Sequence, residues 1–126
     1  MMKIDFAKAY DTIDWGFLSH ILKAFGFSPK VCHLLVQCVT TPWYSVVMNG
    51  VAKGFFKGGR GLRQGDPLSP YLFILVEEVL SRLLKNKFEL GRIKSFSHPR
   101  HGPVISHLLY ADDMVIFANG GRSSVS

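Results

Sequence analysis

Tyr110-Ala111-Asp112-Asp113 stands between two apolar runs, Val104 to Leu109 and Met114 to Ala118. The pattern predicts a β-hairpin with two adjacent carboxylates at its tip. A sheet holds two acids together mainly where something positive is bound between them. A third acid, Asp5, ends a short N-terminal apolar run in Lys3-Ile4-Asp5-Phe6. If the two segments are neighbouring strands, Asp5 and Asp112 converge on one point. Carboxylates from two strands are the hard oxygen donors that a pair of Mg²⁺ ions needs for phosphoryl transfer. Taken alone, Asp-Asp at a strand turn has a plainer reading as a solvated turn, because Asp favours that backbone geometry.

The bulk properties bound the alternatives. With 126 residues, 48% of them hydrophobic, one compact domain with a real core is expected. A charged fraction of 19% argues against disorder. The net charge of +6 favours an anionic partner such as nucleic acid, through general attraction rather than sequence reading, although an ordinary basic domain carries the same charge. The two cysteines, Cys32 and Cys38, fall in one predicted helix and point to different faces, so a disulfide between them is not expected. Both read as core fillers in a reducing compartment. No signal peptide is visible, since the N-terminus meets Asp5 almost at once. The longest apolar stretch, Tyr71 to Val76, falls far short of the ~20 residues a membrane span needs.

Along the chain, Met2 to Phe6 reads as a strand. Asp14 reads as the N-cap of a helix reaching Phe25, with Gly26 as its stop. Ser28-Pro29 starts a second helix, whose buried face is expected to be Val31, Leu34, Leu35, Cys38 and Val39. Tyr44 to Met48, Asn49-Gly50 and Val51 to Phe56 form a predicted hairpin. Lys57 to Asp66 is a glycine-rich basic loop. Ser69-Pro70 opens a long helix to about Asn86, broad and apolar enough to lie deep against a sheet. Leu90 to Phe96 is assigned a strand, 97–103 a loop and 120–126 a polar tail. The expected class is α+β, a small antiparallel sheet with helices packed on one face.

Three segments then stand in order: Lys3-Ile4-Asp5-Phe6-Ala7-Lys8-Ala9-Tyr10-Asp11, Gly61-Leu62-Arg63-Gln64-Gly65-Asp66-Pro67-Leu68-Ser69-Pro70, and Tyr110-Ala111-Asp112-Asp113. In this order they closely resemble reverse transcriptases, with the non-long-terminal-repeat (LINE-type) retrotransposon polymerases as the nearest match. The resemblance covers nearly the whole chain. It implies a truncated polymerase palm over residues 1–119, with 120–126 as a tail. It further implies that Asp5 and Asp112 are metal-binding aspartates, that the Phe6 carbonyl assists, and that Asp113 is a less direct neighbour. Tyr10 matches an aromatic gate beneath the nucleotide sugar, whose ring collides with a ribose 2′-OH. Gln64 and Gly65 match the loop along the incoming nucleotide and template. The implied cofactors are two Mg²⁺, with Mn²⁺ as a substitute. The implied partners are an RNA template, a DNA primer and deoxynucleoside triphosphates. A full-length polymerase of this kind would work inside the cell, with the nucleus the compartment to test.

Plainer roles stand beside these. Tyr10 could be a core aromatic, Asp11 and Asp14 helix caps, and Asp66 a brace before Pro67. Arg60, Arg63, Lys53 and Lys57 track a nucleic-acid backbone or only solvate a hairpin. His98-Pro99-Arg100-His101 lacks the second ligand pair a zinc site requires. The chain is expected to begin at the first catalytic strand and to stop just after the catalytic hairpin, without fingers, later palm strands or thumb. It therefore reads as part of an RNA-directed DNA polymerase that is inactive as an isolated piece. A non-catalytic nucleic-acid-binding remnant and a two-metal nuclease are the alternatives, and a sugar gate counts against the nuclease.

Overall fold

Local signals set most of the element ends. The computed structural model of the chain describes residues 1–96 and 104–119. The His98-Pro99-Arg100-His101 segment and the 120–126 tail lie outside the described residues. In chain order the elements are β1 (Met2–Asp5), α1 (Ala9–Thr12), α2 (Trp15–Ala24), α3 (Pro29–Thr40), β2 (Trp43–Met48), β3 (Val51–Lys57), α4 (Ser69–Glu89), β4 (His107–Tyr110) and β5 (Asp113–Ile116). Asp14 caps α2, its Oδ1 accepting from the Phe17 N–H at 2.8 Å. Ser28 caps α3, with Pro29 in the first turn. Asn49 and Gly50 both take positive φ, +51° and +77°, as a two-residue type I′ hairpin turn requires. The architecture is α+β, with antiparallel strands in two sheets: β1-β5-β4 and β2-β3. No helix among the described residues is long and apolar enough to cross a membrane.

The chain forms two compact units. One holds Met1–Lys8 and the described residues from Glu77 onward, and so contains the three-stranded sheet and most of α4. Met114 and Ile116 of β5 are buried, and Ile4 pairs with Met114 across the ladder. Ser81 of α4 is tied to β4 through His107, whose Nε2 lies 2.8 Å from Ser81 Oγ and whose Nδ1 lies 2.8 Å from Ser106 Oγ. Burial pushes the His107 imidazole below its usual range, and the charge of Lys85 adds to this. The strand expected over Leu90 to Phe96 does not form. The end of α4 folds back instead, with Gly91 N–H donating to the Phe88 carbonyl at 3.0 Å and Arg92 N–H to the Lys87 carbonyl at 3.1 Å. Ser95 keeps an isolated bridge to Ala118.

The other unit, Ala9–Val76, carries its own core of Ile13, Leu18, Leu22, Cys32, Val39, Leu62, Leu72 and Phe73. Two expectations are corrected here. The face α3 buries is Cys32 and Val39, with Leu35 and Val36 partly covered, whereas Val31, Leu34 and Cys38 are exposed. Cys38 is therefore not a core filler. The α4 face is also shallower than its sequence suggests. Only Ser69, Leu72 and Phe73 are buried, and Leu83 is 57% exposed.

The glycine-rich loop is fastened to the first turn of this unit. Gly61 N–H donates to the Ile13 carbonyl and Leu62 N–H to the Tyr10 carbonyl, both at 2.8 Å. Trp15 Nε1–H donates to the Gly61 carbonyl at 2.8 Å. Only glycine suits position 61: its φ is +91°, and a Cβ would stand 2.9 Å from Asp11 backbone atoms. Gly65 also has positive φ, +84°, but a Cβ there would meet open space. Gly65→Ala should therefore cost only the left-handed backbone term, roughly 1–2 kcal/mol. Gly61→Ala adds a backbone clash and should cost clearly more. Urea unfolding of the two variants checks the order, and equal midpoints would contradict the fastening.

Candidate active site

The sheet places the acids. In the β1–β5 ladder Asp5 stands opposite Asp113, Ile4 opposite Met114 and Lys3 opposite Val115. Paired residues share a face, so Lys3, Asp5 and Asp113 face away from the side that buries Met114 and Ile116. Tyr110 pairs with Asp113, which leaves Ala111 and Asp112 as the turn between β4 and β5. Ala111 adopts φ of +51°, a conformation costing an L residue about 1–2 kcal/mol, and such strain concentrates at working turns. One further bond fixes the turn against β1: Phe6 N–H donates to the Asp112 carbonyl at 2.9 Å. The backbones of Asp5 and Phe6 thus stand beside those of Asp113 and Asp112.

Lys3 completes this cluster, and sequence reasoning assigned it no part. Its Nζ lies 2.9 Å from Asp113 Oδ1. The hydrogen bond and charge of Asp113 hold the Lys3 ammonium above its usual range, with smaller contributions from Asp5 and Asp112. One cation therefore feels all three carboxylates. The signal was available: Lys3 and Asp5 are two apart on a strand and so point the same way. Neither the Asp5 nor the Asp112 carboxylate accepts a hydrogen bond or enters an ion pair among the described residues. Among those residues, no three His, Cys, Asp or Glu side chains are grouped as a ready metal cage.

The remaining candidates lie in the Ala9–Val76 unit. Tyr10, in α1, is half-buried and stacks on Phe73 of α4 with ring centroids 4.5 Å apart and planes 12° apart. It does pack as a core aromatic, and part of it stays exposed. Asp66 braces its own turn, Oδ1 accepting from the Leu68 N–H at 2.9 Å. Gln64 and Gly65 are exposed. Arg60, Arg63 and Gln64 line an open cavity of about 640 Å³ together with Asp11, Tyr44, Phe56, Gly58, Gly61 and Leu62. The Arg63 guanidinium stands over the Tyr44 ring, 5.9 Å from its centroid.

A family model described as reverse transcriptase (RNA-dependent DNA polymerase) matches residues 1–125. The chain belongs to the reverse transcriptase family. It is 31% identical over 116 residues to a retrovirus-related Pol polyprotein from the type-2 retrotransposable element R2 of Drosophila melanogaster, covering 91% of this chain and 10% of that protein. It is 31% identical over 117 residues to an uncharacterized protein of transposon TX1 from Xenopus laevis, covering 93% and 9%. An uncharacterized mitochondrial protein of Arabidopsis thaliana is 52% identical over 67 residues, covering 53% of this chain and 55% of that protein. The family match and the two transposon relatives bear out the non-long-terminal-repeat resemblance. The chain spans about half the length of the plant relative and about a tenth of the transposon proteins.

The Lys3 contact yields a pH prediction. A raised lysine pKa contributes stability that is present below the unfolded value near ~10.4 and is lost as pH rises through the folded value. Asp113→Asn should return the Lys3 titration towards its ordinary range and remove that alkaline dependence. NMR titration of the Lys3 side chain reads this directly, and an unchanged Lys3 curve in the variant would contradict the pairing.

Proposed function

We propose that residues 1–119 are the partial palm of an RNA-directed DNA polymerase that joins deoxynucleotides to a primer on an RNA template. The observation that carries the reading is the β1–β5 register, which stands Asp5 beside the Asp112-Asp113 turn. Asp5 and Asp112 would hold Mg²⁺ or Mn²⁺, with the Phe6 carbonyl assisting. The donors fit, because Mg²⁺ takes hard oxygens and is usually held by one or two carboxylates plus substrate phosphates rather than by an all-protein cage. When bound, such ions lower the pKa of an attacking hydroxyl and neutralise charge on the leaving oxygens.

The protein groups do the rest. Asp113 holds Lys3 at the rim of the cluster, which keeps that ammonium from closing on Asp5 and Asp112. Tyr10 is the sugar gate: stacking on Phe73 fixes its ring, and a fixed ring is what excludes a 2′-OH. Gln64 and Gly65 lie along nucleotide and template, and Arg60 and Arg63 neutralise phosphates. The primer 3′-oxygen attacks the α-phosphorus of the nucleotide, the bond to the bridging oxygen breaks, and pyrophosphate leaves.

In a longer polymerase carrying these residues, Asp112→Asn should reduce primer extension about 10²- to 10³-fold, matching the several kcal/mol a Lewis-acid ion supplies. Tyr10→Ala in the same enzyme should raise ribonucleotide use relative to deoxyribonucleotide. The 126-residue chain by itself should not extend a primer, since positioning accounts for roughly 7–11 kcal/mol of such a barrier. Full extension by Asp112→Asn would contradict the polymerase reading, and unchanged sugar choice in Tyr10→Ala would leave Tyr10 a packing residue only.

A further inference from the structure

Phe56 is 51% exposed on β3 and lines the 640 Å³ cavity beside Arg60 and Arg63. Its cross-strand partner is Tyr44, with ring centroids 5.9 Å apart and planes at 29°. Tyr44 is already engaged. Arg63 covers it, and the Gly58 Cα edge approaches so closely that a Cβ there would lie 3.4 Å from Tyr44 Cε2. Tyr44 is therefore the support, and the Phe56 ring is the one left available.

An exposed ring alone would suit any apolar partner. Charge selects among them. Arg60 and Arg63 line the same cavity against a single carboxylate, Asp11, and no ion pair among the described residues engages either arginine. A ligand that is both flat and apolar and also anionic fits this lining. A base with its phosphates has that chemistry. Exposed aromatics beside basic groups are how single strands are gripped without reading their sequence.

We propose that Phe56, braced by Tyr44, is a base-stacking platform for a single nucleic-acid strand whose phosphates are met by Arg60 and Arg63. The strand is the template, an identity that rests on the polymerase reading, whereas the stacking itself does not. Gln64 stands on the same lining.

Fluorescence anisotropy with the whole 126-residue chain tests this, using RNA and DNA strands of about 12 nucleotides, within the usual site size for such grips. Phe56→Leu, which keeps apolar bulk without a π-face, should weaken binding ~5- to 150-fold, and Phe56→Trp should restore it. Because Phe56 is exposed, neither change threatens the fold. An abasic strand should bind the unaltered protein more weakly by a similar factor, which needs no variant at all. A nucleoside monophosphate offers the same chemistry and should bind more weakly than the strand. Equal affinity for abasic and intact strands, an unaffected Phe56→Leu, mononucleotide binding as tight as the strand's, or no binding at low salt would each overturn the proposal. Primer extension by the longer enzyme tests the polymerase reading separately: if Asp112→Asn left that extension intact, the polymerase reading and the template assignment would fall while the stacking result stood.

Discussion

The antiparallel pairing of β1 with β5 decides where every acid of the candidate site stands. Met114 and Ile116 are buried, and Ile4 sits across from Met114, so one face of the ladder is committed to the interior. A one-residue slip of β1 would turn Ile4 outward and Lys3 and Asp5 inward, at a cost that a small sheet cannot absorb. The apolar alternation of β5 therefore holds Asp113 on the open face opposite Asp5. Asp112 needs more than alternation. It is carried by a two-residue turn with Ala111 in a strained conformation, and the Phe6 N–H fixes its carbonyl. A charged site is thus specified by hydrophobic register and one backbone bond.

The Ala9–Val76 unit uses the same economy in another form. Its glycine-rich loop sends Leu62 into the core, and three hydrogen bonds at 2.8 Å tie Gly61 and Leu62 to Tyr10, Ile13 and Trp15. The α1 backbone can come so close because position 61 has no Cβ. Fastening the loop there orders Arg63, Gln64 and Gly65 without burying them. They remain exposed.

Much of this was legible in the sequence where one residue acts on its neighbours. The Asp14 cap, the Ser28-Pro29 start and the Asn49-Gly50 turn depend on backbone chemistry within a few residues, and all three form. The ordered acidic and glycine-rich segments pointed to the family that the comparison confirms. Several readings that depended on tertiary packing failed. In α3 apolar residues occupy most positions from Val31 to Val39, so periodicity admits more than one inner face, and packing chose that of Cys32 and Val39. The short α1 went unseen because it is only four residues long, and one of its carbonyls, that of Tyr10, is held by the distant Leu62 N–H. Leu90 to Phe96 has strand-like residues, but Gly91 with φ of +66° turns the chain back on α4. Lys3 was overlooked because its partner, Asp113, is more than a hundred residues away in sequence.

We propose that the β1–β5 register makes Asp5 and the Asp112-Asp113 turn a single divalent-cation site. Paramagnetic broadening of backbone amide signals by Mn²⁺ tests it most directly, because the readout is positional and needs no turnover. The signals of Asp5, Phe6, Asp112 and Asp113 should broaden first, and Asp112→Asn should suppress the effect at all four. Broadening centred on Asp11, Asp14 or Asp66, or spread evenly over the acidic residues, would contradict the account.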